Sequence, residues 1–254
     1  MGRLICFDIT ESDMKSTLRF TDGTLKETLY PLVDTLRRDY ERFSHRPFIL
    51  ALAGPPGSGK SAISAVLRIL LGEKGIAVTV LPMDGFHKRN EALRSGTIHL
   101  AGEEVSLLSL KGARETYDTE SFARCLTRLR DGERFYWPLY SRVLHEPVNR
   151  GIHVRDAGAL YVIEGNYLLL NEKPWKSLVP LFDRKILIVS RERFLRRRII
   201  RRKMRGGYTR KEAAAHYRRS DRRNIREVMD RSENSDYLLV QTGKYRYTLV
   251  QCSP

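Results

Sequence analysis

The chain has 254 residues, of which 41% are apolar, and a formal net charge of +16. That length suits one globular domain with a sizeable core, and the charge favours polyanionic partners such as phosphorylated ligands or nucleic acid. The three cysteines lie far apart, which argues against a disulfide framework and fits a reducing compartment. No apolar run reaches the ~20 residues of a membrane span, and charged residues interrupt the N-terminus where a signal peptide would be apolar. We therefore expect a single domain, residues 1–254, in a cytoplasmic protein without a membrane partner.

The first 46 residues form an extension ahead of the predicted core, residues 47–250. Residues 1–24 predict a short strand or a loose arm. Apolar residues then recur at helical spacing from Leu25 to Phe43, which predicts a helix. Pro31 lies inside this helix or marks its start, because a proline in a helix interior would break it.

Strands and helices alternate through the core. Compact apolar runs predict buried strands at 48–54, 76–82, 159–165 and 184–190, and two closing strands at 237–242 and 245–251 that form a hairpin or a sheet edge. Helical patterns cover 60–73, about 119–130, about 191–205 and 209–231, whereas 84–117 is irregular and 134–157 is a loop or hairpin. Alternation of this kind predicts an α/β fold with a mainly parallel, doubly wound sheet.

A glycine-rich stretch follows the first core strand. Its sequence, Gly54-Pro55-Pro56-Gly57-Ser58-Gly59-Lys60-Ser61, fits the pattern G-x-x-x-x-G-K-[ST] at every fixed position. Glycines let the main chain turn so that its N–H groups point at phosphate oxygens, and the following helix adds its positive dipole end. A chance match is the alternative, but the strand before and the helix after supply the context that the motif requires. We therefore assign nucleotide binding to residues 54–62, which end at Ala62, with Lys60 on the outer phosphates and Ser61 on Mg²⁺.

Two acidic residues follow other core strands. Asp84 comes after the strand 76–82 and Glu164 lies near the end of the strand 159–165, so both are placed at the edge where open α/β sheets bind ligands. A phosphotransferase that acts on alcohols needs a proton acceptor for the hydroxyl and a carboxylate near the metal. Asp84 suits the first role and Glu164 suits the second. The alternatives are an Asp-Gly turn for Asp84 and a cap for Glu164.

Arginines crowd the stretch from residue 191 to residue 231. Arg198 and Arg202 lie four residues apart on one helical face, and Gly206-Gly207 interrupt the stretch as a hinge would. We expect residues 191–210 to form a lid that closes arginines over the phosphates and stabilises the charge of the transferred group. A solvated basic face is the alternative for most of the other arginines. A nucleic-acid groove is a third interpretation, although aromatic residues are sparse there.

Several strings together resemble the phosphoribulokinase/uridine kinase superfamily, which includes type I pantothenate kinase. They extend from about Phe48 to Val240 and read AGPPGSGKS, PMDGFH, KGARETYD, PLYSR with HEPV, IEGNYLLL, R-I-I-x-R at Arg198–Arg202, and SDRRN. The resemblance implies a three-layer P-loop NTPase sandwich with an arginine-rich helical lid. It also implies ATP and Mg²⁺ as cofactors, and a homodimer stays open because relatives are often dimers or tetramers.

The resemblance implies roles for single residues at the reacting centre. Asp84 matches the catalytic base of these kinases. Together with Ser61 and Glu164, it also matches the residues that organise the metal. Arg198 and Arg202 match lid arginines that, with Lys60, neutralise the transferred phosphate.

On the substrate side the matched residues are His87, Lys111, Asp118, Tyr140, Arg142 and Asn166. Four of these residues also have a structural alternative. Asp118 could cap the following helix, His87 could be an exposed loop histidine, and Tyr140 with Arg142 could serve hairpin packing.

The chain departs from the resemblance in the string KGARETYD. Relatives near this branch carry strings such as KGAPETFD, and here Arg114 stands in place of the proline and Tyr117 in place of the phenylalanine. Residues 96–110, which should line the acceptor pocket, also differ in sequence from the corresponding segment of these relatives. The acceptor therefore stays open among a nucleoside, a sugar or polyol, and a pantothenate-like hydroxy acid.

These observations predict a kinase that moves the γ-phosphate of ATP to a hydroxyl group of a small metabolite. A nucleic-acid-stimulated ATPase that uses the basic helices as a groove is the main alternative, although we do not expect a nucleic-acid partner. A regulatory module that binds ATP without transfer is a second alternative, against which Asp84 and Glu164 count. The sequence contains no Asn-Lys-x-Asp stretch for guanine, so a GTPase is not supported.

Overall fold

The computed structural model describes residues 3–11, 14–43, 46–100, 102–155 and 159–252. The strands within these ranges are β1 (Leu4–Glu11), β2 (Met14–Thr21), β3 (Phe48–Ala53), β4 (Val78–Pro82), β5 (Thr97–Leu100), β6 (Glu103–Ser106), β7 (Phe135–Ser141), β8 (Glu146–Val154), β9 (Leu160–Gly165), β10 (Arg184–Ser190), β11 (Tyr237–Gln241) and β12 (Tyr247–Gln251). The α-helices are α1 (Asp22–Thr24), α2 (Tyr30–Arg42), α3 (Lys60–Gly72), α4 (Asn90–Ser95), α5 (Thr119–Arg130), α6 (Glu192–Arg205), α7 (Arg210–His216) and α8 (Arg222–Arg231). The 3₁₀ and π turns are Leu25–Leu29, Met83–Phe86, Leu107–Leu110, Arg114–Thr116, Trp175–Leu181 and Tyr217–Asp221.

A six-stranded sheet forms the centre of the fold, in the order β12-β11-β10-β3-β9-β4. Neighbouring strands are parallel except β11 and β12, which pair in antiparallel fashion across the hairpin that Gly243 and Lys244 join. The six strands predicted from apolar runs are therefore confirmed, and so is the mainly parallel sheet. β3 lies between β9 and β10, so the glycine-rich turn that follows it opens at the middle of the sheet edge.

Both faces of this sheet are buried, which explains why β3 is apolar at every position. Its alternate residues Leu50 and Leu52 pack into a core with α2 and α3, where Leu36 and Leu67 lie. The intervening residues face a second core that α5 and α8 cover. The arrangement is a three-layer α/β sandwich, as predicted.

The N-terminal segment folds as a hairpin rather than as a loose arm. β1 and β2 pair in antiparallel register, and the Thr21 amide donates to the Tyr245 carbonyl at 3.0 Å. Phe20 is buried against Tyr247, with ring centroids 6.0 Å apart. The predicted helix 25–43 is present as the π turn Leu25–Leu29 and α2, and Pro31 lies in the first turn of α2. The parts of the predicted segment 1–46 at residues 1–2, 12–13 and 44–45 lie outside the described residues.

The two segments without a clear pattern contain local structure. The irregular region 84–117 holds α4, the short hairpin β5–β6 and several 3₁₀ turns. The region 134–157 is the hairpin β7–β8, with a register shift between Trp137 and Leu139. Its last predicted residues, 156–157, fall outside the described ranges. Both segments border the carboxyl edge of the sheet through the turn that follows β4.

The arginine-rich stretch forms α6, α7 and α8 around a small apolar cluster of its own. Leu195 and Ile199 of α6 pack there with Tyr217 and Ile225. α6 ends at Arg205 with Gly206 as its C-cap, and Gly207 has a positive φ of 96°, so the two glycines do interrupt the helical stretch. Within the described residues, every helix is too short or too polar to cross a membrane.

Candidate functional site

The turn after β3 has the shape of a phosphate-binding loop. It leads directly into α3, which begins at Lys60. Gly57 and Gly59 have positive φ angles of 78° and 96°, a conformation that side chains with a Cβ rarely adopt. The first turn of α3 contains no acidic residue, so its free N–H groups and its dipole favour an anion. The turn that residues 54–62 make is therefore suited to hold phosphate oxygens.

The Lys60 ammonium lies over this turn. It donates to the carbonyl oxygens of Gly54 at 2.9 Å and Pro55 at 3.3 Å, and to Oδ1 of Asn166 at 2.7 Å. Burial lowers the pKa of Lys60 from 10.5 to about 8, while the charges of Glu164 and Asp84 raise it. Asn166, which the sequence placed on the substrate side, thus lies against the lysine of the phosphate loop.

Ser61, in the first turn of α3, and Glu164, near the end of β9, lie side by side. The Ser61 hydroxyl is 3.1 Å from each carboxylate oxygen of Glu164, which β9 places opposite Leu52 of β3. Hard divalent cations such as Mg²⁺ bind few protein ligands and keep waters and phosphate oxygens. One hydroxyl beside one carboxylate fits such a partial site. The described residues contain no cluster of three or more His, Cys, Asp or Glu that could hold a metal ion.

Asp84 lies on the 3₁₀ turn Met83–Phe86, directly after β4, and its side chain is exposed. The hydroxyl of Tyr117 donates to its Oδ1 at 3.2 Å. Gly85 comes next because a Cβ at that position would overlap the carbonyl oxygen of Pro138 in β7. The Asp-Gly pair therefore does form a turn, and that turn presents the carboxylate at the same sheet edge as the phosphate loop.

Aromatic residues line the region next to Asp84. The His87 ring packs edge-on against Tyr117 and Tyr140, with centroids 4.0 and 5.2 Å away. Burial lowers the pKa of His87 from 6.5 to about 4, against the charge of Asp84, so the imidazole is neutral. Lys111 lies 5.2 Å from the Tyr140 ring and donates to Oδ1 of Asn90 at 2.5 Å. His87, Lys111 and Tyr140 are thus brought together.

Two other residues of the predicted substrate side lie differently. The Asp118 carboxylate accepts hydrogen bonds from the Ser121 amide at 2.9 Å and the Ser121 hydroxyl at 2.6 Å, so Asp118 is the N-cap of α5. It also borders, with His87, a cleft of about 610 Å³ beside the turn. Arg142 is exposed in the turn after β7.

The two predicted lid arginines occupy α6. Arg198 Nη1 donates to the carbonyl oxygens of Gly57 at 3.1 Å and Ser58 at 3.2 Å, and to Oε1 of Gln241 at 3.0 Å. Arg198 therefore contacts the main chain of the phosphate loop. Arg202 lies one turn further on and is exposed, and its charge contributes to the lowered pKa of Lys60.

Two residues of this site were not selected from the sequence. Tyr117 donates a hydrogen bond to Asp84. The sequence feature that could have identified it is the tyrosine in place of the phenylalanine of related strings. Gln241 is buried at the end of β11, accepts from Ser190 at 2.7 Å and also binds Arg198. A glutamine at the end of an apolar strand would have been the signal for that role.

Comparisons with known proteins bear on the family of this chain. A family model described as "Phosphoribulokinase / Uridine kinase family" matches residues 49–248. The protein YggC of Escherichia coli K12 is 31% identical over 245 residues, which are 95% of this chain and 98% of YggC. A Schizosaccharomyces pombe protein, provisionally named uridine kinase C227.14, is 32% identical over 212 residues, 80% of this chain and 88% of that protein.

A solved structure gives the same result. A protein from Silicibacter sp. TM1040, provisionally named a fructose transport system kinase, is 31% identical to this chain and superposes with a TM-score of 0.75. The match covers 84% of this chain and 98% of that chain. The resemblance seen in the sequence strings is therefore confirmed, and the chain belongs to the phosphoribulokinase/uridine kinase family.

Proposed function

We propose that the protein is a kinase that transfers the γ-phosphate of ATP, with Mg²⁺, to a hydroxyl group of a small metabolite. The observation that carries this proposal is the meeting of a phosphate loop and an exposed carboxylate, Asp84, at one edge of a parallel sheet. Kinases of this kind need little covalent chemistry from the protein. They need phosphates held in place, charge compensation and a group that accepts the hydroxyl proton.

Residues 54–62 would hold the phosphates through main-chain N–H groups. When bound, Mg-ATP supplies an electrophilic γ-phosphorus and a cation that offsets phosphate charge. Ser61 would hold the metal through its hydroxyl, and Glu164, 3.1 Å from that hydroxyl, would orient it or the metal's waters. Lys60 would exchange its contacts with the loop carbonyls for contacts with phosphate oxygens, and Asn166 would keep its ammonium in position.

Asp84 would act as the general base. Its carboxylate accepts the proton of the acceptor hydroxyl while the acceptor oxygen forms a bond to the γ-phosphorus and the bond to the leaving ADP breaks. Lys60 and Arg202 would offset the negative charge of the transferred group, and the charge of Arg202 already acts on Lys60, whose pKa it lowers. Arg198 would act indirectly, because it holds the loop from its carbonyl side.

The acceptor would lie beside the aromatic residues that follow Asp84. His87 is neutral and Tyr140 packs edge-on against it, so these rings offer an aromatic contact without charge. Lys111 adds one positive charge at the Tyr140 ring. Such a surface suits a nucleoside, a sugar or polyol, or a hydroxy acid such as pantothenate. The names of relatives include a provisional uridine kinase, a provisional fructose transport system kinase and pantothenate kinases, so all three classes stay open.

The test is ADP release from Mg-ATP in the presence of uridine, fructose, glycerol or pantothenate. We expect at least one of these alcohols to raise ADP release above that of Mg-ATP alone, and Asp84→Asn to lower the stimulated rate by roughly 10² to 10⁴ with little change in ATP affinity. Asp131→Asn, an exposed acid at the end of α5, is the matched control and should behave as wild type. Wild-type turnover by Asp84→Asn would remove the assigned base.

A further inference from the structure

Tyr117 forms a hydrogen bond with the carboxylate of Asp84, which we propose as the base. Its hydroxyl donates to Asp84 Oδ1 at 3.2 Å. Among the described residues, this hydroxyl is the only side-chain hydrogen-bond partner of Asp84, whose side chain is otherwise exposed. Because Tyr117 donates to Oδ1, Oδ2 has no side-chain donor among the described residues. Nothing in the family resemblance assigns this role, because related strings carry a phenylalanine at this position.

The main chain fixes Tyr117 relative to Asp84. Residues His87 and Tyr117 form an isolated antiparallel bridge. On either side of it, the Asp118 amide donates to the Phe86 carbonyl at 2.8 Å and the Lys88 amide donates to the Thr116 carbonyl at 2.8 Å. The loop that carries Tyr117 is thus paired through its main chain with the turn that carries Asp84.

The Tyr117 ring is also held from its sides. It is 4% exposed, and its neighbours are His87, Tyr167 and Trp175, with ring centroids 4.0, 5.8 and 5.9 Å away. Burial, and then the charge of Asp84, raise the pKa of Tyr117 well above 10.0, so the phenol keeps its proton and acts as a donor. Contacts on three sides of the ring restrict the side-chain rotamer of Tyr117 and therefore the position of its hydroxyl.

Arg114, the other departure in the same string, anchors this loop to the helical layer. Its guanidinium forms ion pairs with Glu172 and, at 3.1 Å, with Glu227 of α8. Arg223 of α8 binds Glu115 of the loop at 2.7 Å. The Glu227 side chain is 9% exposed, and these ion pairs connect the loop that carries Tyr117 to α8.

We propose that Tyr117 is a positioning residue that holds the Asp84 carboxylate in the orientation needed to accept the hydroxyl proton. The proposal rests on the proposed function, since it concerns the same step. Tyr117 itself does not touch the reacting atoms and undergoes no change of protonation. Without its hydroxyl, Asp84 would sample other side-chain rotamers on an exposed turn, and the fraction poised for proton transfer would fall.

The experiment compares Tyr117→Phe, Asp84→Asn and the double variant. The readouts are Mg-ATP hydrolysis with water as the acceptor, which needs no identified metabolite, and ADP release with the most active alcohol of the panel. We expect Tyr117→Phe to lower kcat about tenfold and to leave KM for ATP within about twofold. In the Asp84→Asn background, the same change should have no further effect, because Tyr117 acts through that carboxylate. Tyr237→Phe, a buried tyrosine of β11, is the control for loss of a phenol and should keep wild-type kcat.

The outcomes separate this inference from the proposed function. If Asp84→Asn loses turnover but Tyr117→Phe matches wild type, the positioning role is wrong and the proposed base stands. If Tyr117→Phe lowers kcat equally in the wild-type and Asp84→Asn backgrounds, its effect is structural and the inference is also wrong. If Asp84→Asn keeps full turnover, the proposed function fails, and the inference fails with it.

Discussion

The guanidinium of Arg198 lies on the carbonyl side of the phosphate loop, with its Nη1 3.1 Å from the oxygen of Gly57. The same nitrogen binds Ser58 and the buried Gln241, so an arginine of α6 connects the loop to the end of β11. The carbonyl oxygens of a loop that points its N–H groups at an anion must find donors on the opposite side. Arg198 supplies that donor.

Arg198→Met should therefore weaken ATP binding without touching the chemical step. A hydrogen bond from a charged group contributes about 1.5–3 kcal/mol, so we expect the Kd for ATP to rise roughly 10- to 100-fold. Titration calorimetry measures this. Arg196→Met, an exposed arginine on the same helix, is the control and should bind ATP as wild type does. Equal ATP affinity in Arg198→Met and wild type would show that the loop does not need this support.

Glu164→Gln should raise the Mg²⁺ concentration needed for activity. The Glu164 carboxylate accepts the Ser61 hydroxyl at 3.1 Å, and loss of such an orienting partner lowers metal affinity by roughly 10- to 100-fold. ADP release measured against Mg²⁺ concentration gives the shift. ATP affinity in EDTA should be unchanged, because the phosphates are bound by the loop. An unaltered Mg²⁺ requirement would remove Glu164 from the metal site.

Gly85→Ala should disturb the turn that presents Asp84. A Cβ at residue 85 would overlap the Pro138 carbonyl, which belongs to the main chain of β7 and has no rotamer to move to. Overpacking of this kind typically costs about 1–3 kcal/mol, and we expect that loss in the free energy of unfolding measured with urea. Gly72→Ala, at the end of α3, has open space around its Cβ and should change stability by less than about 0.5 kcal/mol.

Acidification should destabilise the protein partly through His87. Burial lowers its pKa from 6.5 to about 4, so the unfolded chain binds the proton first as the pH falls. The stability that depends on neutral His87 is therefore complete above pH 6.5 and is lost as the pH falls towards 4. Between pH 6.5 and about pH 4, the free energy of unfolding should fall in both proteins. In His87→Gln the fall should be smaller than in wild type by about 1–3 kcal/mol. Parallel pH curves for both proteins would contradict a buried neutral imidazole.

The sequence was most informative where one segment determines its own structure. Apolar runs gave the strands of the central sheet, and the glycine pattern gave the loop between β3 and α3. The placement of Asp84 and Glu164 at one edge followed from parallel strands, whose carboxyl ends must coincide. These predictions needed only local pattern and the topology that the pattern implies.

Contacts between segments that are distant in the chain could not be predicted from local pattern. The bond between Tyr117 and Asp84 joins residues 33 positions apart through loops that have no periodic pattern. From the sequence, the Asp118 carboxylate could either contact the substrate or cap the following helix. Only its hydrogen bond with the Ser121 amide, seen in the structure, identifies it as a helix cap. Likewise, no pattern in α6 indicates that Arg198 meets the carbonyl side of the loop, 140 residues earlier in the chain at Ser58.

A crystal structure with Mg²⁺ and a non-hydrolysable ATP analogue tests the central claim most directly. We predict the triphosphate within the turn of residues 54–62, Lys60 released from the Gly54 carbonyl and bound to the outer phosphates, and the Asp84 carboxylate facing the γ-phosphate. A complex in which the turn is empty, or in which Asp84 points away from the terminal phosphate, would contradict the account.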